Sequence, residues 1–316
     1  MIKFKILILL VIFLFCKGSF LSAQEPLLIK DLESASYYKA VFTGTLKNKK
    51  LVEASGIASS RIHNDVLWIL NDSGNKAKIF AVGTDGSDHG VYNVEGSKNR
   101  DWEDMASFVL NNTSYLLIAD VGDNNDEHNT STLYFVKEPD IEKNSDKNER
   151  SIPVVWSLCF RYEDGPRDCE AVAVDVVRKK IYLLSKRNVP PVLYELLLNF
   201  NSSGTEHIAR RVTVLSSFSQ PLLEENKRDG KIDRKSVQPT SMDISADGQL
   251  AVVLTLKNIF LYEFKTDWYN TFAVLPKYIK LPKLPQSEAV CFGIDGRTLF
   301  ITSEKRYAPL YRIEKK

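Results

Sequence analysis

Cysteine is scarce: the chain holds four in 316 residues, and only Cys159, Cys169 and Cys291 lie beyond the N-terminal apolar run. An odd number rules out complete pairing within one chain. A Cys159–Cys169 bridge and three free thiols both remain open. The cysteine spacing fits no zinc site. Histidine is equally sparse. His63, His89, His128 and His207 show no ligand spacing such as H-E-x-x-H. There is no G-x-S-x-G elbow, no phosphate-binding loop and no dinucleotide fingerprint. A Ser, zinc or nucleotide enzyme therefore has no support in these residues.

Charge of one sign is also lacking. The formal net charge is +2. Without Lys3, Lys5 and Lys17 it falls from +2 to −1. Bulk charge thus argues against a nucleic-acid partner. Long apolar runs are absent after residue 23. The run "ILILLVIFLF" follows two lysines and precedes the small-residue stretch "SFLSA". It is about ten residues long, where a membrane span needs about 20. Residues 1–23 therefore read as a secretory signal peptide, with no transmembrane segment and a secreted or periplasmic destination. Cys16 follows Phe-Leu-Phe, whereas lipidation wants a small residue there, so a lipid anchor is the less favoured alternative. Residues 24–316 read as a single domain.

Helical periodicity is missing too, and what replaces it repeats. "RDWEDMA" at Arg100 returns as "RDCEAVA" at Arg167, with a weaker echo in "QSEAVCF" at Gln286. Related segments begin at Ser55, Glu103, Glu170, Thr240 and Glu288, spaced by 48 to 70 residues. Each gives a short apolar strand, a polar turn and a second strand rich in β-branched or aromatic residues. A third strand follows each time, and a fourth in the first four copies. The pattern predicts an all-β fold, a five-bladed β-propeller, with six blades as the fallback. "YYKAVFTGTL" at 37–46 is a spare strand, predicted to pair with the last copy and close the ring. The segments 137–150 and 223–236 are dense in charge and read as solvated loops.

In a propeller the start of the first strand lies beside the end of the second, on one face. The starts are Ser55, Glu103, Glu170, Thr240 and Glu288; the ends are Asn71, Asp120, Lys186, Thr255 and Glu304. All are polar, which predicts an acidic collar at one mouth of the axis. Asp72, Asp101, Asp104, Asp123 and Asp168 add negative charge nearby, and Arg100, Arg167, Arg187, Lys305 and Arg306 add positive charge. "DVGDNND" at 120–126 is oxygen-rich, with a Gly suited to a sharp turn. Crowded carboxylates need a cation, an Arg or a proton to offset their repulsion. Oxygen ligands suit Ca²⁺ or another hard divalent ion. The other reading is architectural: glutamates capping the next blade's amides, Arg–Asp pairs stapling blades.

The phrases "ASGIASSRIHNDVLWILNDSG", "NRDWEDMA", "IADVGDNND", "DCEAVAVD" and "SEAVCFG" resemble a family of secreted bacterial β-propellers of mostly uncharacterised function. The likeness covers nearly the whole chain after residue 23. More distantly the chain is similar to phytase-like esterase and gluconolactonase-like propellers. That resemblance implies a divalent ion near the axis with acidic ligands. Those relatives usually have six blades, so no ligand set carries over residue by residue.

The expectation is a cation-dependent hydrolase of phosphate or carboxylic esters, or of glycosides. Glu103, Glu170 and Glu288 are the expected ligands or general bases, supported as ligands by Asp104, Asp120 and Asp123. Arg100, Arg167 and Lys186 would hold an anionic substrate group, and Trp102 would offer a stacking face. The expected ligand is a small molecule or glycan at the mouth, bound by a monomer. The rival is a non-catalytic envelope scaffold that binds a glycan or protein partner.

Overall fold

A computed structural model describes residues 38–141, 149–200, 206–216, 227–228, 231–232, 234–282 and 284–315. Residues 1–23, with Cys16, lie outside the described residues, as does most of the segment after Asp140. The chain is mostly β. An opening strand, β1 (Tyr38–Thr45), precedes the first four-stranded unit of β2 (Ala54–Ser59), β3 (Val66–Asn71), β4 (Lys78–Gly83) and β5 (Asp88–Glu95). The second is β6 (Trp102–Leu110), β7 (Thr113–Asp120), β8 (Ser131–Lys137) and β9 (Arg150–Tyr162). The third is β10 (Cys169–Asp175), β11 (Lys180–Ser185), β12 (Val192–Leu197) and β13 (His207–Val214). A two-residue pair follows, β14 (Lys227–Arg228) with β15 (Lys231–Ile232), then a 3-10 turn at Arg234–Ser236. That pair corrects the reading of 223–236 as plain loop.

The fourth unit is β16 (Pro239–Ile244), β17 (Leu250–Thr255), β18 (Ile259–Glu263) and β19 (Lys277–Ile279), with a short helix α1 (Trp268–Ala273) before β19. The last has three strands of its own, β20 (Ser287–Phe292), β21 (Leu299–Ser303) and β22 (Pro309–Lys315). Its fourth is β1, which pairs antiparallel with β22 from Tyr38↔Lys315 to Thr45↔Pro309. Every other neighbouring pair within a unit is antiparallel. The 13-residue β9 is long enough to run parallel to β5 at one end and to β13 at the other, which joins three units into one sheet.

The first strands gather at the centre. β2 packs on β6 and β20, β10 on β6 and β16, and β16 on β20. Both faces of these strands are covered: β2, β10, β16 and β20 are buried at every position, and β6 over its first seven residues. Gly56 lets β2 and β6 approach closely, since a Cβ there would lie 2.8 Å from the Met105 amide nitrogen. Apolar clusters fill the space between successive sheets. One holds Phe108, Phe135, Phe160 and Tyr194 between the second and third units. Another holds Leu46, Ile57, Cys291 and Leu310 between the first and last. Each fully buried Leu, Val or Phe contributes about 1.5–3 kcal/mol. The arrangement is propeller-like. Cys159, Cys169 and Cys291 are free thiols, the last two buried.

Candidate functional site

The repeated acidic phrase marks a repeated backbone irregularity. In all five central strands the pairing shifts at one residue, between Ala54 and Gly56, Trp102 and Asp104, Cys169 and Ala171, Pro239 and Ser241, and Ser287 and Ala289. The extra residues are Ser55, Glu103, Glu170, Thr240 and Glu288. A bulge leaves its residue unpaired in the ladder and re-aims its side chain. The strands thus begin one residue before each position expected as a start.

The five then divide by chemistry. The two hydroxyls tie the backbone of a neighbouring unit: Ser55 Oγ donates to Trp102 O at 3.0 Å and Thr240 Oγ1 to Ser287 O at 2.9 Å. The glutamates do not cap amides. Among the described residues no amide or hydroxyl donates to Glu103 or Glu288, both buried. Carboxylate oxygens of Glu103, Asp168 and Glu170 lie within 4.8 Å of one another, and so do those of Asp72, Asp101 and Glu103. Glu103 belongs to both groups.

The strand entries bring these groups together. Asp101 and Asp168 lie in the irregular segments just before β6 and β10, two residues ahead of the bulged Glu103 and Glu170. In the third echo Gln286 takes the Asp place and donates to Glu304 Oε2 at 2.8 Å. Correspondingly Glu288 joins neither carboxylate group. Asp168 is held by the Asp123 amide at 3.0 Å and by Arg187 Nε at 2.6 Å. Lys186 Nζ pairs with Glu170.

Burial dominates the electrostatics. It pushes Glu103 well above the usual carboxylate range, helped by the charges of Glu170, Asp72 and Asp101. It raises Asp72 to about 6 and Glu288 to about 9. Glu170 rises to about 7, because burial outweighs the pull of Lys186. Burial draws the Lys186 ammonium down, but Glu170, Glu288 and Glu103 together hold it above its ordinary value. A carboxyl whose folded pKa is raised keeps a proton that the unfolded chain has released. Stability therefore falls as pH rises past the unfolded value. Without divalent ion, the melting temperature is expected to decline from about pH 5 through pH 9, spanning the values of Asp72, Glu170 and Glu288. Melting curves at pH 5, 7 and 9 check this; a rise over that window would contradict the sign.

Other expected site residues are placed elsewhere. Asp104 is fully buried below the carboxylates, and its oxygens accept from the amides of Met105, Val172 and Met242 and from Ser241 Oγ. Every donor around it is protein, so it forms a floor rather than offering ligand oxygens. Asp120 holds the site from beneath, its Oδ1 accepting the Asp101 amide at 2.8 Å. Asp123 turns onto its own loop and takes the amides of Glu127 and His128 and the His128 ring, each at 2.9 Å. Arg100 donates to Thr130 O at 3.0 Å, and Arg167 to Tyr194 Oη and the carbonyl oxygens of Pro166 and Asp164. Both guanidiniums bond backbone carbonyls, and Arg100 Nε is buried without a partner among the described residues. Trp102 has no exposed surface, and its indole N–H donates to Lys98 O at 2.8 Å. It is a core residue, not a stacking face, while the bulge turns its neighbour Glu103 toward the other carboxylates.

Gly122 also differs from expectation. Its φ is not in the left-handed region, so it serves no sharp turn. A Cβ there would collide with Asp101 Oδ2 and Glu103 Oε1. The glycine leaves room for two carboxylates. Asp72, Asp101 and Asp168 are the ligand candidates that residue-level reading left unassigned.

No family model and no curated protein matches the chain. Among solved structures it is similar to a protein assigned as a gluconolactonase, with 11% identity and a TM-score of 0.44, covering 91% of this chain and 95% of that one. It is also similar to the calcium structure of a Trichoderma reesei carbohydrate-active enzyme of family AA12, with 11% identity and a TM-score of 0.46, covering 90% of this chain and 97% of that one. Neither likeness assigns a residue or an activity here. Among the described residues no helix is long and apolar enough to cross a membrane.

Proposed function

We propose that the five units form a ring closed by β1, and that the carboxylates at its mouth hold a divalent cation for hydrolysis of an ester, phosphoester or glycoside. The observation that carries this is the convergence of Glu103, Asp168 and Glu170 oxygens within 4.8 Å, all three buried. Their donor set is oxygen only, which suits a hard cation. The Gly122 cradle and the undonated Glu103 fit the same reading. Such an ion supplies polarisation of a substrate oxygen and offsets the carboxylates' repulsion.

Asp72, Asp101, Glu103, Asp168 and Glu170 are the proposed ligands. Lys186 holds an anionic substrate group beside them. Glu288, pushed up to about 9, still carries its proton at neutral pH and gives it to the leaving oxygen. The attacking water adds across the broken bond, and its proton passes to solvent. The protein is proposed to act outside the cytoplasm, following the signal-peptide reading.

The test pairs metal analysis of the purified protein with a substrate screen and melting curves. A ligand bound only by the folded state at 100 times its Kd stabilises by about 2.7 kcal/mol. For a chain of this size that is a rise of about 5–10 °C with added Ca²⁺. Glu170→Gln should remove both the rise and turnover. Glu288→Gln should remove turnover and leave the rise. A protein that neither gains stability from any divalent ion nor turns over any substrate supports the scaffold reading instead.

A further inference from the structure

A second concave site lies on the first unit, apart from the carboxylates. It is a cavity of about 360 Å³ lined by Lys50, Asn71, Asn75, Lys78, Phe80 and Glu149. That is within the size range of small-molecule sites. Lys50 sits in the turn before β2 and Lys78 opens β4. Their ammonium groups converge on one carboxylate: Lys50 Nζ lies 2.5 Å from Glu149 Oε1 and Lys78 Nζ 2.5 Å from Oε2. Two ammoniums so placed repel each other unless an anion sits between them. Glu149 arrives from the neighbouring unit, just before β9, so the anion is borrowed and not local.

The Lys50 side chain is 60% exposed, and its backbone is held in place. Asn71 Oδ1 accepts the amides of Val52 and Glu53, and its Nδ2 donates to Lys50 O at 2.7 Å. The Lys78 side chain is only 13% exposed. The Glu149 side chain is 32% exposed, so solvent solutes reach it. Both lysines pull its carboxyl down to about 2, which leaves it ionised at any working pH.

We propose that this cavity binds a small organic carboxylate, and that Glu149 is a tethered stand-in that such a ligand displaces from Lys50 and Lys78. The geometry of the ligand group is the one Glu149 shows, one oxygen on each ammonium. The inference is independent of the cation reading, since no residue is shared with the carboxylate groups.

A tethered group acts at an effective concentration in the millimolar range. It lowers apparent affinity by the fraction of time it occupies the site. Glutarate, which has the reach of a glutamate side chain, is the probe, titrated into the full chain by calorimetry. Wild type should bind it weakly and saturably. Glu149→Gln should bind it about tenfold more tightly, as removal of the competitor requires. Lys50→Met with Lys78→Met should abolish binding, and neutral glutaramide should not bind. No binding to Glu149→Gln, or binding that survives loss of both lysines, would overturn the proposal. Inorganic phosphate binding as well as or better than glutarate would overturn the carboxylate assignment. If Glu149→Gln does not fold, the wild-type titration decides: saturation supports the site, and none at about 100 mM, well above a tethered group's effective concentration, rejects it.

Discussion

Asp104→Ala is expected to lower the melting temperature by about 10 °C while leaving any divalent-ion stabilisation in place. The side chain joins three central strands: its oxygens accept from Val172 N at 2.9 Å on β10 and from Met242 N at 3.2 Å on β16, and it projects from β6. Ser241 Oγ extends the link to Val290 on β20. Truncation leaves buried amides without an acceptor, at about 1–3 kcal/mol each. Removing a buried carboxyl also relieves its desolvation, which lifts its pKa well above the ordinary range. The balance is a loss of about 3–5 kcal/mol, a large share of the 5–15 kcal/mol that holds a domain folded. At about 2–4 °C per kcal/mol that is close to ten degrees. Melting within 2 °C of wild type would show that the floor is not a stabilising crosslink. Loss of the ion response with the fold intact would return Asp104 to the ligand set.

Gly122→Ala should have the opposite profile. The nearest atoms the added methyl meets are the carboxylate ends of Asp101 and Glu103, which can swing away, so the fold is expected to survive. What moves is the pair of oxygens proposed to hold the cation. Displacing supporting geometry at a metal site costs about 10–100-fold in affinity. Calorimetry should therefore show Ca²⁺ binding weakened by at least tenfold, and turnover falling with it. A change in melting temperature under about 3 °C, or 1 kcal/mol, is expected without ion. Unchanged Ca²⁺ affinity in a folded Gly122→Ala protein would refute the placement of the ion against Asp101 and Glu103.

The strand pattern was legible because strands covered on both faces read as short apolar runs. Turn chemistry helped. Asp247-Gly248 and Asp295-Gly296 stand at matching places, with positive φ at each Gly and Asp oxygens taking the amides that follow. The extra strand at 37–46 was legible because the last copy lacks a fourth, and β1 fills that place. The site was legible only in part. Glu103, Glu170 and Glu288 stood out through the repeated phrase, but the bulge that re-aims them has no residue signature of its own.

Asp101 and Asp168 were visible only as flanking charge. Arg100 and Arg167 directly precede them, yet both bond backbone carbonyls instead of facing the mouth. Charge in sequence does not say which way a long side chain turns. Lys50, Lys78 and Glu149 gave no signal, since their convergence joins residues up to 99 apart through a neighbouring sheet.

By itself the sequence determined a repeating all-β chain whose polar residues recur where first strands start and second strands end. That follows from local chemistry: β-branched and aromatic runs, Asp-Gly turns and the period of the repeat. Only the tertiary structure decided which carboxylates meet, which one becomes a floor, and which cations are spent on backbone. Those outcomes depend on register shifts of a single residue and on neighbouring sheets, and neither is encoded within one repeat.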